Sequence, residues 1–186
     1  MKLVIGISGA SGSIYGIRLL EFLKEKKDIE THLVMSSAGK KNIEIETDYD
    51  PVNVEKLADY LYDFNDIGAD IASGSFRTDG MIIIPCSVKT LSALANAYNE
   101  NLLVRAGDVT LKERKKLVVV FRETPLNFIH IKMLERLTLN GAIILPPTPA
   151  FYHRPKTMED IINQTLGKVL DLFNIEHNLF KRWGNT

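Results

Sequence analysis

The first twelve residues constrain the fold more than any other stretch. An apolar run, Leu3-Val4-Ile5, enters Gly6-Ile7-Ser8-Gly9-Ala10-Ser11-Gly12, and a helical pattern from Tyr15 to Lys26 leaves it. A short strand, a Gly/Ser loop and a helix are how a doubly wound α/β sheet begins. Backbone N–H groups in such a loop, with the helix N-terminus behind them, form a site for phosphate. Ser8 and Ser11 add hydroxyl donors to it. A tight turn with no ligand would use the same residues, so the loop alone does not decide.

Further apolar runs follow at His32–Met35, Met81–Ile84, Leu117–Phe121 and Ala142–Leu145. They lack polar alternation, as strands covered on both faces do. Helical spacing fills 54–62, 90–98, 102–115, 128–139 and 157–173, and residues 63–80 are less regular, a connection with room for one short strand. Thr157 with Asp160 has the form of a capping box, and Asn140-Gly141 that of a helix stop. The alternation predicts an α/β fold: a three-layer, doubly wound, mostly parallel sheet of Rossmann-like or flavodoxin-like type. Residues 1–186 read as a single domain.

Twenty-three Lys and Arg balance 23 Asp and Glu, so no global field favours nucleic acid or a membrane surface. An anion site must then come from local clustering. The single Cys86 excludes an internal disulfide and suits a reducing, cytoplasmic setting. No signal peptide and no run of about 20 apolar residues is expected to direct or anchor the chain.

A dinucleotide fingerprint does not fit, because Ile7 stands where its first glycine belongs when Gly9 and Gly12 supply the others. The second strand ends Met35-Ser36-Ser37, with no acid for a ribose hydroxyl. Val34 likewise replaces the first glycine of a P-loop ending at Gly39-Lys40. A mononucleotide such as FMN asks only for a few hydroxyls and amides around one phosphate. Ser36, at a strand's carboxyl end, is placed to supply one.

Ile84-Pro85-Cys86-Ser87-Val88-Lys89-Thr90 forms a second strand-to-helix turn, with Ser87 as N-cap. Its bland alternative is a capped helix with Lys89 in solvent. Cys86 reads as a small buried residue more readily than as a nucleophile. Arg105 and Lys112, seven apart, share a helix face. Arg122-Glu123-Thr124-Pro125 follows a strand, where Glu123 is either a salt-bridge partner or a proton-handling group. Pro146 to Pro155 is a stiff loop carrying Tyr152 and His153, and Lys168 lies on the closing helix. His130 and Trp183 read as packing residues.

In order, SGASG (8–12), ETD (46–48), PCSVKTLSA (85–93), RAGDVTLKERKKL (105–117), RETP (122–125), PPTPAFYHRP (146–155) and RWG (182–184) span nearly the whole chain. Together they resemble the UbiX-like flavin prenyltransferases, flavoproteins associated with phenolic acid decarboxylases. The resemblance implies transfer of a dimethylallyl group from dimethylallyl phosphate to N5 and C6 of reduced FMN. The product, prenylated FMN, would serve a UbiD-type decarboxylase. By position, Gly9, Ala10, Ser11, Ser36, Ser87, Val88, Lys89, Thr90 and Arg122 would hold FMN. Arg105, Lys112, Tyr152 and Lys168 would bind the prenyl phosphate, with Glu123 completing its pocket. Ser11, Glu46 and Glu123 would be catalytic, with no metal needed. Some relatives carry arginine at the place of Lys168, and lysine keeps the charge but not the bidentate fork. The resemblance also implies a homo-dodecamer with sites between subunits. An FMN-dependent cysteine-type oxidative decarboxylase is the main alternative, but it would want a histidine after strand two, where Ser37-Ala38-Gly39-Lys40 stands. A non-catalytic flavin carrier is another.

Overall fold

The computed structural model describes residues 1–184 and forms two compact units, one of Met1–Pro146 and a second beginning at Pro147. The first unit holds six strands: β1 (Lys2–Ile7), β2 (Glu30–Met35), β3 (Tyr60–Tyr62), β4 (Gly80–Cys86), β5 (Lys116–Phe121) and β6 (Ile143–Ile144). They form one sheet in the order β3-β2-β1-β4-β5-β6, and every neighbouring pair is parallel. The helices of this unit are α1 (Ser13–Lys24), α2 (Ser37–Glu46), α3 (Pro51–Glu55), α4 (Val88–Ala95), α5 (Leu102–Lys112) and α6 (Phe128–Leu139).

The apolar runs become strands because both sheet faces are covered. Side chains alternate along a strand, so Val4, Met81, Ile83, Leu117 and Val119 meet Leu91, Leu94, Leu103 and Leu137 of the helices on one face. Leu3, Ile5, Ile7, Ile82 and Ile84, pointing the other way, are also fully buried. α1 packs against β1, β2 and β4. Each such side chain contributes about 1.5–3 kcal/mol by leaving water.

The chain runs outward from β1 to β3, then returns to place β4 on the other side of β1. Strand order therefore reverses between β1 and β4, and a crevice opens at their carboxyl ends. The loops after these strands are residues 8–12 and 87–90.

Three local expectations change. Residues 54–62 are not one helix: α3 stops at Glu55, and Tyr60–Tyr62 is an edge strand. Only Val54 of α3 is buried, and Tyr60 and Leu61 are half exposed, so no core holds a helix there. Helix α2 is additional; it buries only Gly39 and Ile43, leaving little apolar periodicity to read. The irregular stretch 63–80 carries a single 3₁₀ turn, Asp70–Ala72.

In the second unit, Thr157 and Asp160 form the expected capping box of α7 (Met158–Leu172). Asp171 near its end accepts two hydrogen bonds from Arg182, at 2.6 and 3.0 Å. Among the described residues no helix is long and apolar enough to cross a membrane.

Candidate active site

Ser8 closes the crevice floor. Its N–H and hydroxyl both donate to the Pro85 carbonyl, at 3.2 and 3.0 Å, and its oxygen accepts from the Ser87 N–H at 2.8 Å. At 1% exposure it ties the ends of β1 and β4 together and has no contact left for a ligand phosphate. This corrects its reading as a phosphate donor. Gly9 beside it allows α2 to approach: a Cβ there would stand 2.5 Å from that of Ala38.

The N-terminus of α1 is already occupied by an anion of the chain itself. Glu46, at the last turn of α2, accepts through Oε2 from the N–H groups of Gly12 (2.8 Å) and Ser13 (3.0 Å). Partial burial works to raise its pKa, but these two N–H groups and the Ser11 hydroxyl outweigh that and hold the carboxyl below the usual carboxylate range. The first loop is therefore no phosphate cradle of the dinucleotide kind. Its helix dipole is satisfied by a carboxylate that reaches across 34 residues.

Three other helix N-termini face an open cleft of about 440 Å³, within the roughly 300–1,000 Å³ range of small-molecule sites. Ser36 caps α2 by accepting from the Gly39 N–H at 3.0 Å. Ser87 caps α4 by accepting from the Thr90 N–H at 3.3 Å and donates to Thr90 Oγ1 at 3.2 Å. Asn101, 6% exposed, caps α5 through the Val104 N–H at 3.0 Å. Helix geometry leaves the other first-turn N–H groups without intrahelical partners. Each N-terminus carries the equivalent of about half a positive charge. Converging on one cleft, they make an anion site that no single motif announces.

Gly9, Ala10, Ser11, Ser36, Ser87, Val88, Lys89, Thr90 and Arg122 all line this cleft, as does Glu123. Arg122 forms no ion pair among the described residues. Glu123 accepts from the Thr124 N–H at 2.9 Å, so the salt bridge weighed from sequence does not form. Lys89 lines the cleft, and its ammonium pairs at 3.1 Å with Glu100, a second lining residue. Glu46 stands behind the lining and touches it through Ser11.

Sequence reasoning missed Ser37, Ala38, Phe64, Ala93, Glu100, Asn101 and Val104 of the lining. Asn101 carries an N-cap signal ahead of the helical spacing at 102, and Ser37-Ala38 follow a strand end. Phe64 had no signal; the Leu102 N–H donating to its carbonyl at 2.9 Å places it. The residues fit FMN. Hydroxyls, free amides and Arg122 suit one phosphate, and Ala10, Phe64, Val88, Ala93 and Val104 suit a flat ring. A neighbouring hollow of about 530 Å³ has its cation, Lys40, already paired with Glu55 at 2.6 Å.

Arg105 and Lys112 do not line the cleft with Glu123. α5 meets it only with its first turn, Asn101 and Val104. Arg105 donates through Nε to the Ala72 carbonyl (3.1 Å) and through NH1 to Asp108 (3.2 Å). Lys112 lies seven residues, about 10 Å, farther along the helix and pairs with Glu113. Tyr152 and Lys168 belong to the second unit. There Tyr152 meets Trp183 edge-to-face at 5.6 Å, and Lys168 is exposed. Trp183 itself is 81% exposed rather than packed away. His130 accepts from the Asn127 N–H at 3.4 Å, closing the cap of α6. Cys86 is fully buried, which pushes its thiol pKa far up and leaves no thiolate for nucleophilic work. No group of three or more metal-ligating side chains occurs among the described residues.

Comparison with known proteins shows the family. The Flavoprotein family matches residues 1–177. Flavin prenyltransferase UbiX of Thauera aromatica is 58% identical over 183 residues, covering 98% of this chain and 94% of the relative. A dodecameric FMN-dependent UbiX-like decarboxylase from Escherichia coli O157:H7 superposes with a TM-score of 0.97 at 48% identity, covering 98% of this chain and 99% of that one. AnUbiX (PadA1), solved with FMN and dimethylallyl pyrophosphate, gives 0.96 at 47% identity over 98% and 97% of the two chains. A match of this extent, on a cleft built for one phosphate and a flat ring, places the chain in the flavoprotein family, among the UbiX-like flavin prenyltransferases.

Proposed function

We propose that the protein joins a dimethylallyl group from dimethylallyl phosphate to N5 and C6 of reduced FMN, giving prenylated FMN for a UbiD-type decarboxylase. The observation that carries this reading is the cleft at β1 and β4, where three helix N-termini and the unpaired Arg122 converge while Glu46 occupies the fourth. Reduced FMN supplies the electron-rich ring that accepts the five-carbon unit. The chain's residues do the rest. The first-turn amides of α2 and α4, the hydroxyls of Ser36, Ser87 and Thr90, and Arg122 hold the FMN phosphate. Gly9, Ala10, Ser11, Val88 and Lys89 line the rest of the FMN cleft.

Breaking the allylic C–O bond leaves negative charge on the departing phosphate, and fixed cations stabilise it as it develops. We assign that task to Arg105, Lys112 and Lys168, with the Tyr152 hydroxyl. Glu123, held by one backbone amide and open to the cleft, donates or relays a proton to the departing phosphate. Glu46, with Ser11 between it and the cleft, takes a proton during ring closure; it is ionised, and the hydrogen bonds that lower its pKa keep it a weak base. Because Arg105 and Lys112 lie away from their own chain's cleft, a neighbouring copy in a homo-dodecamer supplies them. A cytoplasmic location matches a lone buried thiol and a reduced cofactor. The test is phosphate release. Dimethylallyl phosphate should yield inorganic phosphate with reduced FMN and not with oxidised FMN; equal release from both, or none, refutes the proposal.

A further inference from the structure

The segment between β3 and β4 has no part in the cleft beyond Phe64, yet it meets α5 at the two cations that face away from it. Ile71 and Ala72 are buried in the core, and Phe76 packs against the same cluster, so the turn between them is anchored at both ends. Within it the Ser73 and Ser75 hydroxyls bond at 2.8 Å, and the Phe76 N–H donates to the Ser73 carbonyl at 3.2 Å. The Ala72 carbonyl accepts from Arg105 Nε at 3.1 Å. Asp108 completes the grip on that guanidinium at 3.2 Å and is itself fixed by Asn99, which donates at 2.8 Å.

Gly74 lies against the other cation. A Cβ there would stand 2.8 Å from Lys112 Nζ and 2.8 Å from Glu113 Cδ. Its φ is not in the left-handed region, so the backbone itself does not ask for glycine. What glycine provides is space, and the atoms filling it are the charged ends of Lys112 and Glu113, which pair with each other.

We propose that the 72–75 turn is a cradle that positions both α5 cations for the donor phosphate, with Ala72 O aiming Arg105 and the bare face of Gly74 seating the Lys112–Glu113 pair. Gly74 and Glu113 are then positioning residues: neither touches substrate, and both act through Lys112. This rests on the assignment of Arg105 and Lys112 to the prenyl phosphate.

Gly74→Ala is a selective probe, because the three atoms nearest the added methyl are all at the far ends of the flexible Lys112 and Glu113 side chains. In the purified full-length enzyme with reduced FMN, it should raise KM for dimethylallyl phosphate roughly fivefold, as for losing one surface ion-pair geometry. kcat, FMN affinity and the melting temperature should stay near wild type. Glu113→Gln, which leaves the Lys112 ammonium without its partner charge, should move the same KM in the same assay. Lys112→Ala separates the two layers of argument. If it leaves KM for dimethylallyl phosphate unchanged, the assignment of Lys112 is wrong. If it raises KM while Gly74→Ala and Glu113→Gln do not, the assignment stands and the cradle is refuted. A Gly74→Ala protein whose kcat, FMN affinity and melting temperature all fall together would also refute it, since the turn would then be structural only.

Discussion

Replacing Glu46 with glutamine removes one charge from the N-terminus of α1 and leaves the shape almost unchanged. The Glu46 carboxylate accepts two backbone N–H groups at 2.8 and 3.0 Å, in line with a helix dipole. Hydrogen bonds to an ionised group are worth about 1.5–3 kcal/mol against 0.5–1.5 for neutral ones, and the dipole adds about 0.3–1 kcal/mol. The amide oxygen of glutamine still accepts, so a net loss of about 1.5 kcal/mol is expected. For a chain of 186 residues that lowers the melting temperature by about 3–6 °C. The loss should depend on pH. The folded pKa of Glu46 is depressed, so its contribution is complete above the unfolded value of about 4.3 and disappears as pH falls through the lower folded value. The gap between wild type and Glu46→Gln should thus be constant from pH 7 to about 5 and close below it. Thermal melts across this range measure it. A gap that stays the same down to pH 3, or no gap at pH 7, would show that the carboxylate is not what satisfies this helix end.

Arg122→Ala should weaken FMN binding roughly 10- to 100-fold, from the loss of about 1.5–3 kcal/mol of charge-assisted bonding; flavin fluorescence titration reads it, and an unchanged Kd refutes its contact with the phosphate. Glu123→Gln should lower kcat and change its pH profile with little effect on FMN affinity, and a turnover equal to wild type at every pH removes the proton relay. Cys86→Ala should keep activity while losing about 1 kcal/mol of stability from a small buried void. Thiol reagents should likewise leave the native enzyme active, and rapid inactivation would contradict the burial of Cys86.

The central sheet was legible because its strands are continuous apolar runs, which only burial on both faces explains. β3 was not, since an edge strand of three half-exposed residues has no such run, and Val54, Leu57 and Leu61 fall at helical spacing by coincidence. The cleft was legible where a residue follows a strand directly, as Ser36, Ser87 and Arg122 do. Two features were closed to sequence reasoning. Ser8 and Glu46 owe their roles to partners 77 and 34 residues away, and no local period encodes such pairings. The shared face of Arg105 and Lys112 followed from their spacing. The 72–75 turn that this face meets, through the Ala72 carbonyl and Gly74, carries no motif.

The central claim is that this cleft prenylates the flavin it holds. Purified protein incubated anaerobically with reduced FMN and dimethylallyl phosphate should yield, on extraction and mass spectrometry, a flavin heavier by one C5 unit. Recovery of FMN at its original mass, from protein that binds FMN, would contradict it.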